Sequence, residues 1–198
     1  GADAERVEAL QPLLALKGVI DVVLGGERLG RPVEIDVGRV HYDLTRWVGT
    51  TGRDAAEGYA WVPATGELRT GEKVGVIGAA GPMGFMHVVR ALSMGVEGVA
   101  VTAVDIDADR LAHLAGVATP LADARGLAFE AVNSNEREVE GSFTRIGCMV
   151  PVPPLAAATV EQAGEGCIID FFAGFAVGTT APLDLNQMLE RHIYILGT

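Results

Sequence analysis

The stretch Val74–Gly84 (VGVIGAAGPMG) restricts the fold more than any other part of this chain. An apolar run ends at Gly78, two further glycines follow at Gly81 and Gly84, and Pro82 stands where a helix would begin. Proline suits the first turn of a helix, so the pattern reads strand, tight turn, helix. In a βαβ unit this places the helix N-terminus at the carboxyl edge of a sheet. Unpaired backbone N–H groups and the positive end of the helix dipole there favour a pyrophosphate. Glycine is needed because a Cβ would forbid the turn or hold a phosphate away from the backbone, and Gly84 would let the helix lie close on the strand. The spacing is G-x-x-G-x-x-G, so the first position of the usual G-x-G-x-x-G fingerprint falls on Ala79.

The next apolar run, Val99–Val104, ends at Asp105, which lies 21 residues beyond Gly84. An acid at about 20 residues is where a dinucleotide fold bonds the adenine-ribose hydroxyls. A carboxylate accepts two hydroxyl hydrogens and repels a 2′-phosphate, so the residues predict NAD, with NADP disfavoured. Arg110 is the one nearby cation that would soften this choice, and Asp107 and Asp109 are read as helix caps.

Val- and Ile-rich runs recur at about 19–24, 45–49, 74–78, 99–105, 128–132, 145–150, 167–173 and 192–197. Several are continuously apolar, as in strands covered on both faces. Helix-like segments lie between them: Pro82–Met94, Asp109–Val117, Pro153–Ala163, and Met188–Arg191 behind an Asp184-x-x-Gln187 cap. From residue 74 onward, strand and helix alternate, with the acidic Asn135–Glu140 as a solvated helix or loop. This predicts an α/β, doubly wound, mostly parallel sheet. Thr65–Glu72 (TGELRTGE) reads as a linker into it.

An internal repeat precedes that sheet. Gly18–Gly25 (GVIDVVLG) overlays Cys167–Gly174 (CIIDFFAG), and Asp36 precedes Gly49 by the 13 residues that separate Asp184 from Gly197. Both copies run apolar strand, glycine loop, Asp-led segment, second apolar strand, Gly-Thr. Residues 1–64 are therefore expected to be a partial repeat packed on the sheet edge beside strand 193–197, and residues 65–198 the dinucleotide-binding domain.

A net charge of −11 argues against nucleic-acid and anionic-membrane partners. No apolar run approaches the roughly 20 residues that span a bilayer, and no secretion signal opens the sequence, so a cytoplasmic protein is expected. Cys148 and Cys167 both sit in apolar runs and form no Cys-x-x-Cys pair, which predicts buried, reduced thiols.

GAAGPMGFMHVVRAL followed by VTAVDIDADRLAHL resembles the coenzyme (Rossmann) domain of the zinc-containing medium-chain alcohol dehydrogenases. The Gly-Pro-Met-Gly turn and PVEIDVGRVHYD are closer to the sorbitol- and sorbose-phosphate-dehydrogenase-like branch. The resemblance covers residues 15–198. It implies NAD(P)-linked oxidation of an alcohol, polyol or sugar phosphate, or the reverse reduction, and a separate domain carrying a catalytic zinc. It also implies a dimer formed through the terminal strand, for which the repeat would be an internal substitute.

A catalytic zinc needs three protein ligands, and His41, His87, His113 and His192 are scattered. His41 is read as a turn-stabilising residue, and neither a catalytic residue nor a metal ligand is assigned. Zinc is expected only in a domain absent from this chain, which alone would be inactive. The candidate cofactor surface is Gly78, Ala79, Ala80, Gly81, Pro82, Met83, Gly84, Asp105, Ile106, Arg110, Val150, Pro151, Ala173, Gly174 and Phe175. Phe175 either covers the nicotinamide ring or belongs to the core or a lid. Two alternatives stand beside the dehydrogenase: an S-adenosylmethionine-dependent methyltransferase-like domain and a non-catalytic nucleotide-sensing module. A short-chain reductase is disfavoured because Tyr42, Tyr59 and Tyr194 have no lysine four residues on.

Overall fold

The computed structural model describes residues 3–198. The strands are β1 (Val19–Val23), β2 (Val33–Asp36), β3 (Arg46–Thr50), β4 (Lys73–Ile77), β5 (Ala100–Asp105), β6 (Ala128–Asn133), β7 (Phe143–Cys148), β8 (Ala163–Phe171), β9 (Thr180–Leu183) and β10 (Tyr194–Leu196). The helices are α1 (Ala4–Leu10), α2 (Val37–Tyr42), α3 (Ala56–Tyr59), α4 (Pro82–Ser93), α5 (Ala108–Asp123), α6 (Pro153–Gln162) and α7 (Leu185–Glu190). Eight strands form one sheet in the order β1-β3-β10-β8-β7-β4-β5-β6, and β2 pairs with β9 in a second, two-stranded sheet. Within the large sheet, β3–β10 is the antiparallel pairing and the others are parallel.

Alternate residues of β4 serve opposite faces, which is why its run is apolar throughout. Val74 and Val76 pack with Val88 and Leu92 of α4 and with Leu114 and Ala118 of α5. Ile77 and Ile146 face the other way, in the core that holds Val160 of α6 and Met188 of α7. The chain steps from β4 outward through β5 and β6, then returns to the opposite flank of β4 with β7, β8 and β10. Strand order therefore reverses between β4 and β7.

One reading left open is decided for the loop, and one expectation is corrected. Residues 134–142 form a turn and an extended crossing with no helix. Asn133 nucleates that turn, its side-chain oxygen accepting from Asn135 N (3.0 Å) and its carbonyl from Glu136 N (3.1 Å). Conversely, α5 runs on to Asp123 with Pro120 inside it. So close to a helix end, a proline removes one hydrogen bond without breaking the rod.

The repeated residues lie about a pseudo-two-fold axis. In β1–β3, Ile20 pairs with Trp47, and in β8–β10, Ile169 pairs with Ile195. The two units then meet antiparallel at equivalent positions, Trp47 opposite Ile195 and Glu34 opposite Pro182. Each copy's aspartate caps its helix: Asp36 Oδ1 accepts from Arg39 N (3.0 Å) and Asp184 Oδ1 from Gln187 N (3.2 Å). The shared Gly-Thr has a steric reason. A Cβ on Gly197 would lie 2.7 Å from His41 Cα, and one on Gly49 would lie 2.5 Å from Leu189 Cδ2. Each glycine lets the other unit's helix rest on its strand.

The repeat also duplicates a buried acid. Asp21 and Asp170 are equivalent, and both are raised in pKa by burial. Neither oxygen of Asp21 has a hydrogen-bond partner among the described residues. An acid whose folded pKa lies above its ordinary 3.8 favours the fold when protonated and loses that contribution as pH rises through the folded value. Asp21→Asn should therefore raise the melting temperature at pH 7. The gain should vanish below pH 4. A melting series across that range checks it, and a gain independent of pH would refute the ionisation argument.

Candidate functional site: a glycine turn beside an acid at the switch point

The turn takes the form its sequence requires. Gly78 adopts φ +80°, and its amide and that of Ala79 both donate to Val104 O, at 2.8 and 3.0 Å. A side chain at Gly78 would collide with Val150, 2.4 Å from the Cβ position, so the two flanks of the switch point touch here. Gly84 lies on the turn itself: its Cβ would be 2.3 Å from Gly78 O and 2.6 Å from Ala79 Cα.

Gly81 is different. It is the N-cap of α4, makes no side-chain cap hydrogen bond and has φ −73°. A Cβ there would meet only Gly78 O, at 3.6 Å, an ordinary contact. Neither the backbone conformation nor the packing demands glycine at this position. What glycine preserves is open space over the first turn of α4, where a Ser, Thr or Asp would otherwise cap the free N–H groups. A cradle that a Cβ would fill fits a diphosphate.

Asp105 closes the turn from the side. Its Oδ2 accepts from Ala80 N (2.9 Å), and Oδ1 accepts from Ile106 N (2.8 Å) and Asp107 N (3.2 Å). These bonds hold the carboxylate at the lip of a crevice of about 170 Å³ lined by Gly78, Val104, Asp105, Ile106, Val150 and Leu155. Each carboxylate oxygen has two lone pairs, so with Oδ1 accepting twice and Oδ2 once, one acceptor position remains on Oδ2 for a sugar hydroxyl.

Around this centre the candidate residues divide. Gly78, Asp105, Ile106 and Val150 line the crevice together. Ala80 and Gly81 are part-exposed at the turn, Pro82, Met83 and Pro151 are exposed, and Ala79 and Gly84 are buried beneath it. Arg110 is exposed and paired with Asp107 (3.3 Å), whose carboxylate caps α5, while Asp109 lies in the first turn of that helix rather than at its cap. On the far flank Gly174 is exposed, but Ala173 is buried with its amide on Cys148 O (3.0 Å). Phe175 is corrected: its ring is fully buried against Phe171, with centroids 6.1 Å apart, and so is withheld from any ligand in the crevice.

The histidines are tied to the fold. His41 Nδ1 donates to Phe171 O (3.2 Å) and His87 Nδ1 to Met83 O (2.8 Å). His113 stacks on Phe85 and His192 on Trp61. Burial pushes the thiols of Cys148 and Cys167 up to about 11 and about 12, which leaves them protonated and unreactive. Among the described residues no three His, Cys, Asp or Glu side chains converge as a metal site. One contact was missed from sequence: Tyr42, more than half exposed, stands over Gly174.

No family model and no curated protein matches the sequence. Solved structures do. An alcohol dehydrogenase zinc-binding domain protein from Burkholderia ambifaria is 26% identical with a TM-score of 0.55, over 66% of this chain and 34% of that one. A zinc-binding dehydrogenase from Sinorhizobium meliloti 1021, bound to NADP, is 15% identical with a TM-score of 0.56, over 66% of this chain and 38% of that one. Benzyl alcohol dehydrogenase from Acinetobacter calcoaceticus is 22% identical with a TM-score of 0.55, over 67% of this chain and 35% of that one. The chain thus spans little more than a third of the length of these structures. Over about two thirds of this chain, its fold matches part of these zinc-binding and alcohol dehydrogenase structures.

Proposed function

We propose that this chain is the NAD-binding portion of a medium-chain, zinc-type dehydrogenase acting on an alcohol, polyol or sugar phosphate. The observation that carries the reading is the pair of features at the switch point: an open, uncapped helix N-terminus at Gly81 and a carboxylate hydrogen-bonded to the same turn. The diphosphate would take the N–H groups at the start of α4, and Asp105, through the open position on Oδ2, an adenine-ribose hydroxyl. The cofactor supplies hydride exchange with the alcohol carbon, and the chain's own residues bind and orient it. Asp105 supports NAD over NADP, and Arg110, engaged with Asp107, does not offset it. The zinc ligands, and with them turnover, would lie in a portion of the protein outside this sequence. The division into an edge repeat, 1–64, and a coenzyme domain, 65–198, belongs to the same proposal.

β3 occupies the outer edge of β10. A homodimer built through that strand is therefore closed to this chain, and β1 becomes the free edge. Among the described residues no helix is long and apolar enough to cross a membrane. The methyltransferase-like alternative calls for a reversed hairpin at the end of the sheet, whereas β8 is followed by the parallel β10.

Parallel titrations with NADH, NADPH and S-adenosylmethionine test the reading. NADH should bind at least about tenfold more tightly than NADPH, since a 2′-phosphate facing a carboxylate costs about 1.4 kcal/mol or more. Equal affinity for the two would refute the role of Asp105. Binding of S-adenosylmethionine alone would refute the dehydrogenase assignment.

A further inference from the structure

We propose that the first repeat unit completes the nicotinamide end of the crevice, with Tyr42 as the side chain that contacts the ring. The proposal rests on the dinucleotide reading above and extends it to residues outside the coenzyme-binding half of the chain. In a doubly wound sheet the two halves of a dinucleotide lie on either side of the switch point. Asp105 claims the adenosine half for β5, so the other half falls over the ends of β7 and β8. There the side chains of Ala173 and Phe175 face inward, and exposed Gly174 offers only backbone. The side chain standing over that backbone comes from α2: Tyr42 Oη lies 2.7 Å from the position a Gly174 Cβ would take. Tyr42 is 57% exposed, so its ring is not used up in packing.

His41 positions it. The imidazole is anchored by Nδ1 on Phe171 O and meets the Tyr42 ring edge-on, with centroids 4.7 Å apart at 81°. Its other neighbour is Phe172 (6.4 Å). The α2 backbone beneath both residues is seated against Gly197, which as glycine admits it.

The pseudo-two-fold supplies an internal control. Equivalent to Tyr42 is Glu190, at the end of α7, which approaches the loop after β1 just as Tyr42 approaches the loop after β8. That junction is sealed: Glu190 pairs with Arg28, and Asn186 bonds both the amide (2.8 Å) and the carbonyl (3.0 Å) of Leu29. The same frame is thus closed with polar bonds at the end remote from the glycine turn. At the end beside it, the frame carries an exposed aromatic ring over bare backbone. An aromatic face there suits a flat, weakly polar ring such as nicotinamide.

The test compares NADH with ADP-ribose, which has the same diphosphate and adenosine but no nicotinamide. Both are titrated calorimetrically into the unsubstituted chain, Tyr42→Ala and Tyr42→Phe, with thermal melts confirming the fold. Tyr42→Ala should weaken NADH about tenfold and leave ADP-ribose unchanged, and Tyr42→Phe should keep NADH within about twofold, because the ring makes the contact. NADH affinity unchanged in Tyr42→Ala, or an equal loss of both ligands, would overturn the proposal. Failure of the unsubstituted chain to bind ADP-ribose would overturn the dinucleotide reading beneath it.

Discussion

Gly81→Val should leave the chain folded and weaken NADH binding about 100-fold or more. The Cβ position at Gly81 has no close neighbour in the protein, and its φ of −73° is open to any residue, so stability should change by no more than about 1 kcal/mol. Branched methyl groups over the first turn of α4 would instead hold a diphosphate off the amides. Two charge-assisted hydrogen bonds lost at about 1.5 kcal/mol each already amount to that factor. Gly84→Ala is the opposite case. Its methyl would lie 2.3 Å from Gly78 O, against backbone that has nowhere to move, and should cost about 3 kcal/mol of stability or more. Calorimetry and thermal melts on the two variants separate the roles. Normal NADH affinity in Gly81→Val would remove the diphosphate from this turn, and an undisturbed melt for Gly84→Ala would contradict the close packing of α4.

The second large effect lies under the linker. Glu72 is only 3% exposed and holds two guanidinium groups, Arg69 through Oε1 at 2.7 Å and Arg145 of β7 through Oε2 at 3.0 Å. Arg145 also donates to Glu67 O (2.9 Å), so the segment before β4 is bolted to the sheet rather than draped over it. Removing Glu72 leaves Arg145, only 18% exposed, charged and with Glu67 O as its remaining acceptor. Glu72→Ala should therefore cost about 3–5 kcal/mol, lowering the melting temperature by roughly 10 °C. Glu67→Ala, whose side chain is 62% exposed in its pair with Arg90, should cost under about 1 kcal/mol. Equal losses in the two variants would contradict the burial argument.

Features fixed by short-range chemistry were readable from sequence. The glycine turn and Asp105 need only a strand, a tight bend and a helix in succession, and their residue types announce each part. The repeat was legible because its cap aspartate and strand-ending glycine recur at one spacing, and both turn out to do the same job twice. What escaped depends on distant contacts. β2 and β9 are four residues each and carry or follow prolines, so neither looks like a strand until it pairs with the other. The charged run between β6 and β7 could be read as a helix or a loop, and a side-chain turn at Asn133 with a direct path back to β7 decides for the loop. Gly81 and Gly84 look alike in sequence, and only their neighbours show that the fold requires glycine at Gly84 and leaves open space at Gly81. Phe175 was ambiguous because any apolar residue in a loop can turn in or out. Tyr42 was not linked to the site because its contact with Gly174 crosses most of the chain.

An ¹⁵N-labelled sample titrated with NADH and followed amide by amide would show directly where the coenzyme settles. Resonances of Ala80, Gly81, Met83, Gly84 and Ile106 should shift together and saturate at one stoichiometric equivalent, with smaller changes at Gly174. Saturable shifts elsewhere, with those amides unmoved, would place the ligand off the turn and contradict the account.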